Sequence, residues 1–230
     1  MHPSILRLRT LIALIALLAA GAGFSLLRPD PPVAELHMSG PTMGTTYNVK
    51  YRPTQDAPAL KAMQTEVDAL LAEINHTMST YDPESELSRF NRLRTTDWVP
   101  ASASLRAVLK AALEIGTQSE GAFDITVGPL VNLWGFGPEF HPDRIPLEAD
   151  IAAARRRSGL DKVTLSEAQQ AIRKYRPDVF LDLSGIAKGY GVDRVAELMT
   201  AHGIEHYMVE IGGEIRVRGL KEHDTPWRIA

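Results

Sequence analysis

Three stretches of the chain hold residue types whose spacing suits chemistry. The first is residues 181–191, Leu-Asp-Leu-Ser-Gly-Ile-Ala-Lys-Gly-Tyr-Gly, where an apolar segment delivers Asp182 to a turn that opens a helix. A helix start presents unpaired N–H groups and roughly half a positive charge, so it favours an anion such as phosphate. Lys188 falls in that first turn, where the same dipole disfavours a cation by about 0.3 to 1 kcal/mol unless something negative offsets it. A phosphate ligand would do so; so would a neighbouring carboxylate, with Asp182 merely capping the turn. The stretch is neither a Walker A loop nor the dinucleotide fingerprint G-x-G-x-x-G.

The second stretch is Gly121-Ala122-Phe123-Asp124-Ile125-Thr126. Period-two alternation puts Asp124 and Thr126 on one side, where they could bond a heterocycle or reach a metal through water, or serve as a turn Asp and a strand Thr. The third comprises Met43-Gly44-Thr45 and Ser79-Thr80-Tyr81-Asp82, able to supply an apolar wall and a ring, or simple core packing. Other sites are excluded. His202 and His206 have i, i+4 spacing, but Gly203 interrupts the helix between them and no H-E-x-x-H exists for zinc. No G-x-S-x-G elbow surrounds Ser184.

The elements that must position these residues follow from periodicity. Thr45–Tyr51 reads as a strand, and residues 59–78 carry Leu60, Met63, Val67, Leu70, Leu71 and Ile74 at helical spacing. Polar residues 79–94, with Pro83 among them, read as a loop. Ser102 or Ser104 caps a helix running to about Ser119, with Gly121 where a terminator belongs. Residues 122–137 mix apolar positions with Pro129 and three glycines and read as ordered loop. A short helix near Pro146 lies within residues 143–159, and residues 162–165 form a short strand. Residues 179–183 read as a compact strand, residues 186–202 as a helix ended by Gly203, and Tyr207–Ile211 and residues 214–217 as two strands around Gly212-Gly213, a hairpin dipeptide. Hairpin strands interleaved irregularly with helices predict an α+β domain rather than a regular βαβ array.

Composition bounds the function. The 230 residues are 44% hydrophobic and 23% charged, with a net charge of −3 and no basic stripe, so nucleic acid is excluded as a partner. Cysteine is absent, which removes disulfides, thiolate metal sites, cysteine nucleophiles and a lipid-bearing cysteine. Arg7 and Arg9 precede an apolar run over residues 11–27 containing Ala20-Gly21-Ala22, the pattern of an export signal or an uncleaved anchor. Residues 1–27 are therefore expected to be a signal peptide or N-terminal membrane anchor, residues 28–38 a Pro-rich tether, and residues 39–230 a domain working outside the cytoplasm. Trp227-Arg228-Ile229-Ala230 shows neither a turn nor a polar tail, so the domain is expected to be C-terminally incomplete.

Met43-Gly44-Thr45, Ser79-Thr80-Tyr81 with Ser85-Glu86 and Ser88-Arg89-Phe90-Asn91, Gly121 to Asp124 with Trp134-Gly135-Phe136, Asp182 to Asp193, and Ile211-Gly212-Gly213 occur in the order of one known family. The chain resembles the ApbE family of FAD:protein FMN transferases from about Ser39 onward. The resemblance implies a single domain of mixed, largely antiparallel sheet with flanking helices. It implies that FAD is the substrate, split so that FMN is esterified to a Ser or Thr of an acceptor flavoprotein while AMP leaves, with Mg²⁺ assisting. Carried over by position, Met43, Tyr81, Ala122, Phe123, Asp124, Asp182 and Lys188 would line the FAD site, and the Gly185 carbonyl would be one Mg²⁺ ligand. The family's other metal ligands lie in a segment past residue 230, so this chain is expected to bind flavin weakly by itself. The usual acceptors are flavin-carrying subunits of membrane electron-transfer complexes. An FAD pyrophosphatase and a non-catalytic flavin-binding protein remain alternatives.

Overall fold

A computed structural model describes residues 34–138, 145–221 and 225–229. The leader (1–27), most of the expected tether and Asp143 lie outside the described residues. Strands β1 (Leu36–Thr42) and β2 (Thr45–Tyr51) form an antiparallel hairpin, Leu36 opposite Tyr51 and Thr42 opposite Thr45. Only Met43 and Gly44 connect them, both at positive φ (49° and 70°), the backbone that a two-residue turn of matching twist requires. The expected tether thus ends early, because Leu36, His37 and Met38 already belong to the sheet.

Near the other end of the chain, β6 (Tyr207–Ile211) pairs antiparallel with β2 and with β7 (Glu214–Arg218), giving the order β1-β2-β6-β7. Gly212 and Gly213 make the β6–β7 turn at φ 53° and 100°, as the dipeptide predicts. The two turns are neighbours: the Gly212 N–H donates to the Thr46 carbonyl (3.2 Å). Alternation along β2 buries Tyr47, Val49 and Tyr51.

Helix α1 (Leu60–Met78) packs on this sheet with Met63, Val67, Leu71, Ile74 and Met78 in one buried stripe, each buried side chain contributing roughly 1.5–3 kcal/mol. Beside it lies the helix of residues 187–201, which buries Val192, Val195, Ala196 and Met199 and ends before Gly203 at φ 71°. A second antiparallel sheet has the order β3 (Val99–Pro100), β5 (Ala171–Lys174), β4 (Val163–Ser166). All strand pairs among the described residues are antiparallel, and helices flank them, in keeping with the α+β expectation.

Three local expectations change. Residues 79–94 are not all loop: α2 (Glu86–Arg92) forms there because the Ser85 side chain caps the Ser88 N–H (2.9 Å) while Leu87 and Phe90 reach the core. After it comes α3 (Ala103–Gln118), capped by Ser102 rather than Ser104. Residues 122–137 contain a short helix α4 (Gly128–Leu133), which Pro129 starts with its φ preset. Next comes α5 (Glu148–Arg155), making the helix of residues 187–201 α6 (Ala187–Ala201). Finally, residues 179–183 are extended but join no sheet. Their backbone bonds go elsewhere: the Leu181 N–H and carbonyl to the Asn91 side chain (2.8 Å each), and the Asp182 N–H to the Ile125 carbonyl (2.8 Å).

Candidate functional site

The sheet edge carrying both tight turns, the C-terminal end of α1 and the start of α6 surround a cleft of about 560 Å³, within the size range of small-molecule sites. Met43 and Gly44 from the first turn, Ile74 and Met78 from α1, Ser79, Thr80 and Tyr81 beyond it, and Ser184, Ala187 and Lys188 at the start of α6 line it. Three residues from distant parts of the chain, Met43, Tyr81 and Lys188, therefore meet at one cleft. Met43 comes close to α6 because Gly191 has no side chain; a Cβ there would stand 3.1 Å from the Met43 Cε.

The cleft has an apolar end and a charged end. Met43, Ile74 and Met78 supply the apolar surface. Tyr81 is 64% exposed, and its hydroxyl donates to the Phe136 carbonyl (2.7 Å), which fixes the ring at the rim. Next to it, the Glu84 N–H donates to Asp82 and holds that carboxyl below its usual range, with His76 adding to the effect from 3.0 Å. At the other end, no side chain caps α6 and no acidic residue occupies its first turn, so its positive end faces Ser184, Ala187 and Lys188.

Lys188 reaches across to the β6–β7 turn, where its ammonium donates to the Gly212 carbonyl (3.1 Å) and pairs with Glu214 (2.9 Å). A carboxylate thus offsets the cation. Sequence reasoning missed Glu214, although its place directly after Gly212-Gly213 puts it within reach of whatever approaches that turn. Asp182 is buried and its carboxylate accepts the Ser184 N–H (2.7 Å), a turn-capping bond. It does not line the cleft; it shapes the turn that does.

Ala122, Phe123 and Asp124 stand behind that turn instead of in the cleft lining. The Phe123 ring packs on Gly185 so closely that a Cβ there would lie 3.1 Å from Cε2. Asp124 accepts from both the N–H and the hydroxyl of Thr126 (2.7 Å each), and the buried Thr126 hydroxyl accepts the Gly159 N–H. Both are therefore engaged in local structure. Ala122 is exposed.

For magnesium, the described residues supply too little. No group of three His, Cys, Asp or Glu side chains gathers among them, and the Asp182 and Glu214 carboxylates already accept the Ser184 N–H and pair with Lys188. The Gly185 carbonyl alone does not make the octahedral oxygen sphere that Mg²⁺ demands.

The family model described as "ApbE family" matches residues 43–230. A Vibrio cholerae protein named FAD:protein FMN transferase is 48% identical over 201 residues, covering 87% of this chain and 60% of that protein, and a Haemophilus influenzae protein of the same name is 42% identical over 218 residues, covering 93% and 63%. The chain thus spans about 60% of the length of these curated relatives. Among solved structures, the flavin transferase ApbE from Vibrio cholerae superposes with a TM-score of 0.84 at 48% identity, covering 86% of this chain and 63% of that one. The apo flavinyl transferase ApbE of Pseudomonas stutzeri gives 0.83 at 37% identity, covering 88% and 67%. The cleft-lining blocks at Met43, Tyr81 and Lys188 all lie within the matched span, and the chain belongs to the ApbE family.

Proposed function

We propose that the protein is a flavin transferase that takes FAD into this cleft and passes FMN to a Ser or Thr hydroxyl of an acceptor flavoprotein. The observation that carries the reading is the pairing, in an ApbE-family chain, of an apolar wall with an uncapped helix start and Lys188 in one cleft. The ring system of FAD suits Met43, Ile74 and Met78, with Tyr81 at the rim. The diphosphate suits the α6 end, where Lys188 would exchange Glu214 for phosphate oxygens while Ser184 and the helix N–H groups bind the rest. The acceptor oxygen then bonds to the FMN phosphorus, the bond to the bridging oxygen breaks, AMP carries that oxygen away, and the hydroxyl proton goes to a base. Neutralising the phosphate oxygens and holding the two reactants in line is the protein's main work in such a displacement. Magnesium would supply charge neutralisation at the phosphates, with the Gly185 carbonyl as the one donor these residues offer it.

The same reading makes the protein an exported one, on the strength of Arg7, Arg9 and the apolar run that follows. Its acceptors would be flavin-carrying subunits of membrane electron-transfer complexes. The test is co-expression with such a subunit followed by mass spectrometry: FMN attached to a Ser or Thr supports transfer, free FMN and AMP alone indicate a pyrophosphatase, and intact bound FAD indicates a binding protein. Lys188→Ala is expected to impair FAD turnover severely while changing stability by no more than about 1 kcal/mol, since its ion pair is partly solvated. Undiminished turnover by that variant sinks the role given to Lys188.

A further inference from the structure

The two sides of the cleft are joined through α2, and the bonds that join them are unusual. On one face of this helix, Ser88 and Asn91 stand three residues apart, both only 6% exposed. Polar side chains are costly in such positions unless fully bonded. Both are bonded, each to the backbone of a different side of the cleft. The Ser88 hydroxyl donates to the Ser79 carbonyl (3.0 Å), which also receives the Ser85 hydroxyl (2.5 Å). Ser79 in turn accepts the N–H groups of Tyr81 (3.0 Å) and Asp82 (3.1 Å), so these contacts fix the Tyr81 side.

Asn91 grips the opposite side. Its amide gives a hydrogen to the Leu181 carbonyl and takes one from the Leu181 N–H, 2.8 Å each, as a neighbouring strand would. One residue later comes Asp182, whose turn carries Ser184 and leads into Lys188. Among the described residues no strand pairs with residues 179–183, so the Asn91 amide supplies what the sheet does not.

We propose that α2 is a strut that sets the separation between the Tyr81 side and the Asp182–Lys188 side of the cleft, with Asn91 as its positioning residue. The inference rests on the proposed function only for the identity of the ligand, FAD. Asn91 touches no substrate; it acts by holding Leu181, so that the turn presenting Ser184 and the α6 start is already in place when a diphosphate arrives.

The test compares Asn91→Leu and Asn91→Asp with Val108→Ala, a buried α3 substitution that lowers stability and leaves both Asn91–Leu181 bonds in place. Amide hydrogen exchange is read at residues 181–184, and FAD affinity is read by flavin fluorescence. Loss of both Leu181 bonds is expected to speed exchange at 181–184 by about tenfold beyond what Val108→Ala causes at matched stability, and to weaken FAD binding by about tenfold while Val108→Ala leaves it unchanged. Asn91→Asp keeps one acceptor for the Leu181 N–H and is expected to fall between, which keeps the test open if the Leu variant does not fold. Exchange and affinity that follow overall stability alone overturn the strut. If the parent protein binds no FAD but Asn91→Leu still loosens residues 181–184 selectively, the strut stands and the flavin reading falls.

Discussion

Replacing Lys174 by Met examines the far end of that strut. Lys174 is 1% exposed, and its ammonium faces four carbonyls: Phe90 (3.3 Å), Asn91 (3.3 Å), Leu93 (2.7 Å) and Pro177 (3.3 Å). Three of these belong to the last residues of α2 or the one just past it, where helix carbonyls lack partners in the helix itself. The Phe90 ring lies 5.1 Å from the same nitrogen. Two effects oppose one another. Three ammonium protons bonded to buried carbonyls, at about 1 kcal/mol or more each, favour keeping the lysine. Burial pulls its pKa from 10.5 down to about 8, with Arg94 adding to the effect. Between pH 8 and 10.5 the unfolded chain then holds a proton that the native one has released, so native stability rises with pH across that window by about 3 kcal/mol from this group. Below pH 8 both states are protonated and the contribution is flat. Lys174→Met has no such group, so the stability of the parent relative to the variant should grow by about 3 kcal/mol from pH 8 to 10.5. At pH 7 the variant should be less stable by roughly 1–3 kcal/mol, because carbonyls at the end of α2 lose their donor. Urea unfolding followed by tryptophan fluorescence at several pH values gives both quantities. A parent-to-variant difference that stays constant from pH 8 to 10.5 would refute the claim that burial lowers the Lys174 pKa.

Gly212→Ala is expected to cost about 1–2 kcal/mol, since the residue holds φ 53° and a Cβ would stand 2.7 Å from the Thr45 Cγ2 and 3.2 Å from the Lys188 Cδ. The same change should weaken FAD binding by displacing Lys188; an unchanged unfolding midpoint together with unchanged flavin titration contradicts this. Tyr47 is raised to about 12, chiefly by burial and then by its 2.6 Å bond to Asp68, so its phenol should resist ionisation until far above pH 10 in a spectrophotometric titration. Because the unfolded phenol ionises near 10, the stability it contributes is fully present below pH 10 and declines by about 3 kcal/mol by pH 12. Tyr47→Phe should remove that decline, and an unaltered alkaline profile rules it out.

The parts of the fold legible in the sequence are those whose pattern is local. The stripe from Met63 to Ile74, the alternation Tyr47-Val49-Tyr51 and the Gly212-Gly213 turn state their structures within a few residues. Helix α2 was hidden because its inward face carries Ser88 and Asn91, which a polarity count assigns to solvent. Strand β5 escaped for a related reason, since Lys174 occupies a buried position that an apolar residue would mark. Residues 179–183 have the composition of a strand, and nothing within them reveals that an asparagine ninety residues earlier replaces the neighbouring strand. The site was legible as separate blocks. Their meeting at Met43, Tyr81 and Lys188 depends on the β2–β6 pairing, and the contact between Lys188 and Glu214 depends on a distance that no short sequence pattern encodes.

The Met43–Gly44 and Gly212–Gly213 turns leave this end of the sheet with no slack in chain length. One residue inserted into either would slip the edge strand across it by a step and exchange that strand's inward and outward sides, moving Met38 and Thr42 of β1 out of the interior in the first case. The exposed turn at residues 54–56, joining β2 to α1, bears no such constraint and can lengthen freely. Natural and engineered insertions in this chain should therefore collect at the rear of the hairpins, and fluorescent or affinity tags placed there would leave the cleft undisturbed.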